Sequence, residues 1–215
     1  MGGSRKFRDP LSPSKARLNF DFTSNMPGSG TTPDNEQQMA LRLHQGDRAA
    51  LRAVYDAYAR YLTAVCTRYI ADDDDVKDVL QEAFIRIYDA AGSFEYRGSG
   101  SFKGWLTRIV VNQALKHLRD SKTVFVPLSP QQENLADEDP DTEQVPAAVI
   151  HKMIRELPDG YRAVFNLYVL EQRSHKEIAA LLGISESTSA SQLHRAKALL
   201  ASKINKYRTA QNSVS

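Results

Sequence analysis

The sequence predicts an all-α fold in two small helical domains (an N-terminal helical bundle and a C-terminal helix-turn-helix) joined by a flexible acidic linker. Three observations predict it. Apolar residues recur at i, i+3, i+4 and i+7 within 35–122 and again within 147–207, the spacing of one buried helix face. Nowhere do they alternate at the period of two that a strand requires. Between these stretches, Pro, Glu, Asp and Gln dominate residues 127–146, a composition that gives an extended tether rather than a core.

Taken in order, residues 1–34 are rich in Gly, Ser, Pro and Asn and read as a disordered tail. Arg5, Lys6, Arg8, Lys15 and Arg17 offer that tail cations for nucleic acid, although a tail without function accounts for them equally. A first helix starts near Asn35 and stops at Gly46, and Asp47 is placed to cap the second. The second helix carries the stripe Leu51, Val54, Tyr55, Tyr58, Leu62, Val65, Cys66 and Tyr69. Four aspartates, Asp72 to Asp75, open the third helix, where the dipole favours negative charge. That helix ends near Gly92, and a loop leads to a fourth helix from about Phe102 to Asp120.

After the linker (123–146), helices resume with Ile150, Met153, Ile154 and Leu157 on one side, break at Pro158, and continue through Val164, Phe165 and Tyr168. Ser174 and Glu177 form a capping-box pair for a short helix that ends at Gly183. Ser185 caps the last helix, whose inner face is Leu193, Ala196, Leu200 and Ile204. Residues 208–215 read as a C-terminal tail.

Composition narrows the function classes. One cysteine among 215 residues leaves no internal disulfide framework, and Cys66 lies on an apolar face as a small buried side chain. No Cys/His cluster has zinc spacing, and no cofactor is expected. No apolar run spans a membrane and no signal peptide is evident, so a cytoplasmic protein is expected. The net charge of +2 conceals a division. Residues 123–145 hold six carboxylates and no Lys or Arg, whereas ten Lys and Arg face five Asp and Glu from Pro146 onward. A basic module behind an acidic tether suits a polyanionic partner, although any basic face also serves as a solvated surface.

Residues 174–206 have the pattern of a helix-turn-helix, in which the second helix exposes its N-terminal polar residues to a major groove. Thr188, Ser191, Gln192 and Arg195 recur at helical spacing on the side expected to face outward, with Ser187 and His194 beside them. Arg pairs with guanine and Gln with adenine through two hydrogen bonds each. Arg173, His175, Lys176 and Lys197 flank the motif as phosphate contacts. An ordinary helical hairpin with a polar surface has the same pattern.

Two further stretches carry chemistry. In "DVLQEAFIRIYDA" (78–90), Asp78, Gln81, Glu82 and Ile85 make an outer stripe. An isoleucine among carboxylates and an amide has the makeup of a docking patch, charged for steering and apolar for desolvation, while a solvated face competes with it on pattern alone. In 93–122, Phe94, Tyr96, Arg97 and Phe102 punctuate a Gly/Ser loop, and Trp105, Arg108, Asn112, Lys116 and Arg119 fall near one helix face. Aromatics interleaved with cations suit single-stranded nucleic acid. The same pattern fits Phe102 and Trp105 as core with a basic edge, and for Trp105 core packing is the stronger reading.

The segments "GDRAALRAVYDAYARYL", "DVLQEAFIRIY", "FKGWLTRIVVNQALKHLR", "IRELPDGYRAVFNLYVLE" and "HKEIAALLGISESTSASQLHRAKALL" together resemble bacterial RNA polymerase sigma factors of the extracytoplasmic-function (ECF) group, in the family's order. The resemblance implies that 35–122 is the region that docks on core RNA polymerase, with Asp78, Gln81 and Glu82 at the docking positions. It implies that loop 93–101 and helix 102–119 melt and read the −10 element, with Asn112 and its neighbours toward flipped-out bases. It implies that 147–207 reads the −35 element of promoter DNA as duplex and contacts the polymerase flap, and that the acidic linker threads toward the RNA exit path. Anti-sigma factors are common partners in that family. Ser189 and Ala190 depart from the family pattern, where a large apolar residue and a cation are usual. This shifts the −35 contacts onto Ser191, His194, Arg195 and Lys197.

The function expected is a dissociable specificity subunit, not an enzyme. A self-contained DNA-binding regulator would use the helix-turn-helix alone, leaving the docking stripe and linker without a role. A metal-dependent nuclease would need Asp72 to Asp75 as ligands, yet the helix dipole already accounts for them and no second carboxylate cluster supports a two-metal site.

Overall fold

The computed structural model describes residues 33–121, 142 and 145–212. The tail over 1–32, most of the linker and the last three residues lie outside the described residues. Among those described, eight α-helices and one short 3₁₀ turn form the fold, with no strand. The all-α prediction holds.

Helix α1 (Pro33–His44) starts two residues before Asn35, with Pro at its first helical position, where no partner for an N–H is needed. It ends at His44, and Gly46 just beyond takes the left-handed φ of 77° expected of a helix stop. The Asp47 carboxylate then accepts from Ala49 N at 2.8 Å and caps α2 (Arg48–Cys66). The Arg42 guanidinium at 2.7 Å, with the Ala49 amide, holds that carboxyl below the usual range. Along α2, Ala50, Val54, Tyr58, Leu62, Val65 and Cys66 are buried, one stripe at helical period. Tyr55, assigned to the same stripe, stands 50% exposed and lays its ring 5.1 Å from that of Phe84. Burial pushes the Cys66 thiol up to about 12, so it is an inert packing group.

Helix α3 (Asp73–Ala90) is capped by Asp72, which accepts from Asp74 N at 2.9 Å and Asp75 N at 3.1 Å. The amides of Asp75 and Asp74 lower the Asp72 pKa. The acidic run thus has local roles: Asp72 caps, Asp74 pairs with Lys77, and Asp75 lies 3.5 Å from His117 Nε2. Among the described residues no cluster of His, Cys, Asp and Glu is arranged to hold a metal ion. A 3₁₀ turn (Ala91–Ser93) and a loop lead to α4 (Ser101–Asp120).

In the second module, α5 (Ala147–Arg155), α7 (His175–Leu182) and α8 (Glu186–Asn212) surround α6 (Asp159–Val169), in which every residue from Gly160 to Leu167 is buried. The expected tail from 208 is corrected: α8 continues to Asn212, and its last residues are helical. No described helix is long and apolar enough to cross a membrane.

The two modules share one continuous hydrophobic cluster, and α4 packs against α6 and α7. The seam is organised by polar groups. Arg162, only 1% exposed, donates Nη2 and Nε to the Tyr69 carbonyl at 2.9 and 3.3 Å, and Asn166 Nδ2 donates to the Arg68 carbonyl. Arg155 Nη2 reaches Asp73 at 3.4 Å, and Arg119 Nη1 donates to the Leu181 carbonyl at 2.6 Å. Asn166 Oδ1 is buried beside it without a hydrogen-bond partner among the described residues.

Candidate nucleic-acid interface

Three surfaces carry the residues singled out in the sequence. The first is the outer face of α3, where Asp78, Gln81, Glu82 and Ile85 are all exposed, Ile85 at 55%. Beside them runs a groove of about 710 Å³ between α2 and α3, lined by Tyr55, Ala59, Thr63, Leu80, Phe84 and Ile85. Sequence reading missed Tyr55 and Phe84 as members of this surface. Their signal was there: an aromatic at the margin of each inner stripe. An exposed isoleucine beside a mostly apolar groove, rimmed by an amide and carboxylates, has the composition of a protein-binding surface.

The second surface is built on α4 and the loop before it. Helix α4 has no side-chain cap of its own, and its N-cap Gly100 takes the left-handed φ of 82°, where a Cβ is disfavoured. The missing cap is supplied from α1. Glu36, only 6% exposed, accepts through Oε1 from the amides of Phe102 and Lys103, each at 3.1 Å, and through Oε2 from Gly100 N at 3.0 Å. A carboxylate here meets both the free amides and the positive end of the dipole. Ser101 Oγ closes the loop from within, donating to the Gly98 carbonyl at 2.6 Å and accepting from Arg97 N at 3.1 Å.

Phe102, expected to touch DNA, is corrected: it is fully buried. It is the first apolar residue of α4 and packs edge-on to Tyr58 at 5.9 Å. Trp105 stacks on it at 5.7 Å and Phe94 leans on both rings, so these two half-buried aromatics form a ledge supported by the core. Tyr96 is half-buried, and burial raises its pKa, helped by Glu36 and Asp34. Arg97, Arg108, Asn112, Lys116 and Arg119 are exposed; Arg108, Asn112 and Lys116 are spaced one turn apart along α4.

The third surface is the helix-turn-helix. Ser174 Oγ accepts from Glu177 N at 3.3 Å, and Glu177 Oε2 accepts from Ser174 N at 2.9 Å, the capping box read from sequence. The amide and hydroxyl of Ser174, with Arg173, hold the Glu177 carboxyl down at about 2. A depressed carboxyl stabilises its helix above the unfolded value and loses that contribution as pH falls toward the folded one. Helix α7 is therefore expected to weaken between about pH 4.5 and pH 2. Amide exchange over 175–182 checks this, and Glu177→Gln should flatten the dependence.

Gly183 turns the chain at φ 68°, and Ser185 Oγ accepts from Thr188 N at 3.0 Å to cap α8. On α8, Ser187, Ser191 and His194 are exposed and Thr188, Arg195 and Lys197 half-exposed. Gln192 is corrected: it is 6% exposed, faces inward, and its amide oxygen has no partner among the described residues. Position 192 lies one turn from Ser189 and Ala196, both fully buried, so geometry carries it to the inner face. Ser189, where a large apolar side chain is usual, is instead tied to His175 Nδ1 at 2.9 Å. His175, expected at a phosphate, is half-buried and stacks on Tyr168 at 4.9 Å, while Arg173 and Lys176 remain exposed.

The structure brings two of these surfaces face to face. A cleft of about 420 Å³ between α4 and α6–α7 is lined by Arg108 and Asn112 from one module and by Glu171, Arg173 and Leu181 from the other. The Asp78, Gln81, Glu82 and Ile85 stripe lies elsewhere, on the outer face of α3.

Two family models match the chain: Sigma-70 region 2 over residues 54–123, and Sigma-70, region 4 over residues 147–200. The RNA polymerase sigma-H factor of Pseudomonas aeruginosa is 27% identical over 179 residues, covering 77% of this chain and 92% of that protein. The ECF RNA polymerase sigma-E factor of Escherichia coli K12 is 29% identical over 182 residues, covering 79% and 94%. Among solved structures, CnrH in complex with the cytosolic domain of CnrY aligns with a TM-score of 0.42 at 22% identity, over 80% of this chain and 97% of that one. With both regions present in order and relatives matched over more than nine-tenths of their own length, the chain belongs to the sigma-70 family, in the ECF group of RNA polymerase sigma factors, which are promoter-specific transcription initiation factors.

Proposed function

We propose that this sigma factor divides its work among the three surfaces. The α3 stripe of Asp78, Gln81, Glu82 and Ile85 grips core polymerase. The Phe94–Arg97 loop and the Trp105, Arg108, Asn112, Lys116 and Arg119 face of α4 open and read the −10 element. The exposed face of α8, with Ser187, Ser191, His194, Arg195 and Lys197, reads the −35 duplex, while Arg173 and Lys176 contact phosphate. Tethering both modules to one polymerase raises their effective concentration on a promoter, so each tolerates weak binding alone. Captured bases offset the few kcal/mol of unstacking that strand opening costs. On this reading the packed arrangement is the free form, because Arg108 and Asn112 line a cleft closed by the second module. The modules separate when polymerase is bound. An anti-sigma factor is the partner that would keep the α3 stripe from polymerase.

The observation that carries the reading is the α3 face: an isoleucine 55% exposed among Asp78, Gln81 and Glu82, beside an apolar groove. The test adds purified core polymerase and a promoter library and looks for initiation that depends on this protein. Gln81→Ala with Glu82→Ala should weaken core binding by about tenfold or more, as truncation at an interface centre does. Duplex binding by α8 should be unchanged. Unaltered core affinity in that double variant would remove α3 from the docking role.

A further inference from the structure

We infer that Glu36 is a positioning residue for the −10-reading loop, acting from α1 on the N-terminus of α4. The inference rests on the reading of that loop given above. Three facts place Glu36 there. The residue is almost wholly buried, at 6% exposure, so its carboxyl oxygens depend on donors from the protein. It accepts from three amides, those of Gly100, Phe102 and Lys103, which lie 64 to 67 residues away along the chain. Helix α4 has no side-chain cap of its own.

The effect reaches the loop through Gly100 and Ser101. Gly100 is pinned by Oε2 of Glu36; Ser101 next to it holds Arg97 N and the Gly98 carbonyl. On the other side, Phe102 is pinned by Oε1 and supports the Trp105 and Phe94 rings. One buried carboxylate therefore fixes both the polar closure of the loop and the aromatic ledge beneath it. It touches neither DNA nor polymerase in this account.

Glu36→Gln separates positioning from bulk stability. The amide keeps the side-chain volume but turns one acceptor into a donor, which faces the Gly100 amide or the pair at Phe102 and Lys103. The control is Val65→Ala, which removes buried atoms from α2 away from the loop. Each variant, as full chain, is assembled with core polymerase and bound to a forked probe. The probe's single-stranded −10 strand comes from a promoter that the wild-type holoenzyme selects from a library, or carries substituted bases. Glu36→Gln is expected to lose about tenfold of the preference for the selected strand, with core affinity kept within about twofold. Val65→Ala is expected to lower the melting temperature and keep the preference. Preference retained in Glu36→Gln, or lost equally in both variants, overturns the inference. A wild-type holoenzyme indifferent to the −10 strand overturns the loop reading itself, a distinct result.

Discussion

Arg162→Met should lower the stability of the free protein by about 3–5 kcal/mol, the range seen when one partner of a buried charged network is removed. The guanidinium is 1% exposed and accounts for nearly all its donors: the Tyr69 carbonyl, the Leu157 carbonyl at 2.8 Å, the Arg155 carbonyl at 3.0 Å and Asp159 Oδ1 at 2.5 Å. Burial lowers its pKa, and the Asp159 carboxylate opposes that shift. Methionine fills similar length but leaves three main-chain oxygens without donors, each costing about 1–3 kcal/mol if water cannot reach them. For a chain of this size, a melting temperature lower by roughly ten degrees follows. Arg162 serves both its own module and the seam, so Asn166→Ala is the companion variant, since Asn166 Nδ2 donates to the Arg68 carbonyl across the seam. Asn166→Ala should increase the radius of gyration in small-angle scattering with a smaller loss of melting temperature. A Met variant that melts with the wild type would show that the network contributes no net stability.

Phe102→Ala is the second large effect, at about 3–5 kcal/mol, the cost of emptying a buried aromatic site. Phe102 is fully buried among Tyr58, Phe94 and Trp105. The chain has a single tryptophan, so its fluorescence reports on this site alone. Denaturant titration should give a lower midpoint, and the native emission should shift to the red as Trp105 loses the ring on which it stacks. Phe102→Leu should recover most of the stability with less of the emission, because volume returns without the stack. Equal midpoints for wild type and Phe102→Ala would place the residue outside the core.

What the sequence disclosed was what is local. The Asp47 cap, the Ser174–Glu177 box and the Ser185 cap depend on neighbours within four residues and are present, as is the α2 stripe apart from the exposed Tyr55 and the half-buried Leu51. The outer stripe of α3 was legible for the same reason. Contacts between residues far apart in sequence were not. Glu36 in the first turn of α1 looks like an ordinary partner for that helix's dipole, and only folding brings it to α4. Arg162 counted as one more cation in a basic module, although it is buried. Polarity misled at Gln192 and His175, because the packing between α7 and α8 uses Ser189, Gln192 and His175 where a hydrophobicity pattern expects apolar groups. Phe102 was misread in the opposite sense: an aromatic beside a Gly-rich loop suggested stacking, and the helix turned it inward.

The bonds that Arg162 and Asn166 make across the seam end on peptide oxygens of residues 68 and 69, not on side chains. Drift at those two positions leaves these acceptors in place, so long as α2 finishes with the same backbone path. An exchange of one half of the molecule would thus keep these two bonds whatever side chains stand at positions 68 and 69. The seam's polar anchor is therefore tolerant of substitution on the α2 side and intolerant of it at Arg162 and Asn166.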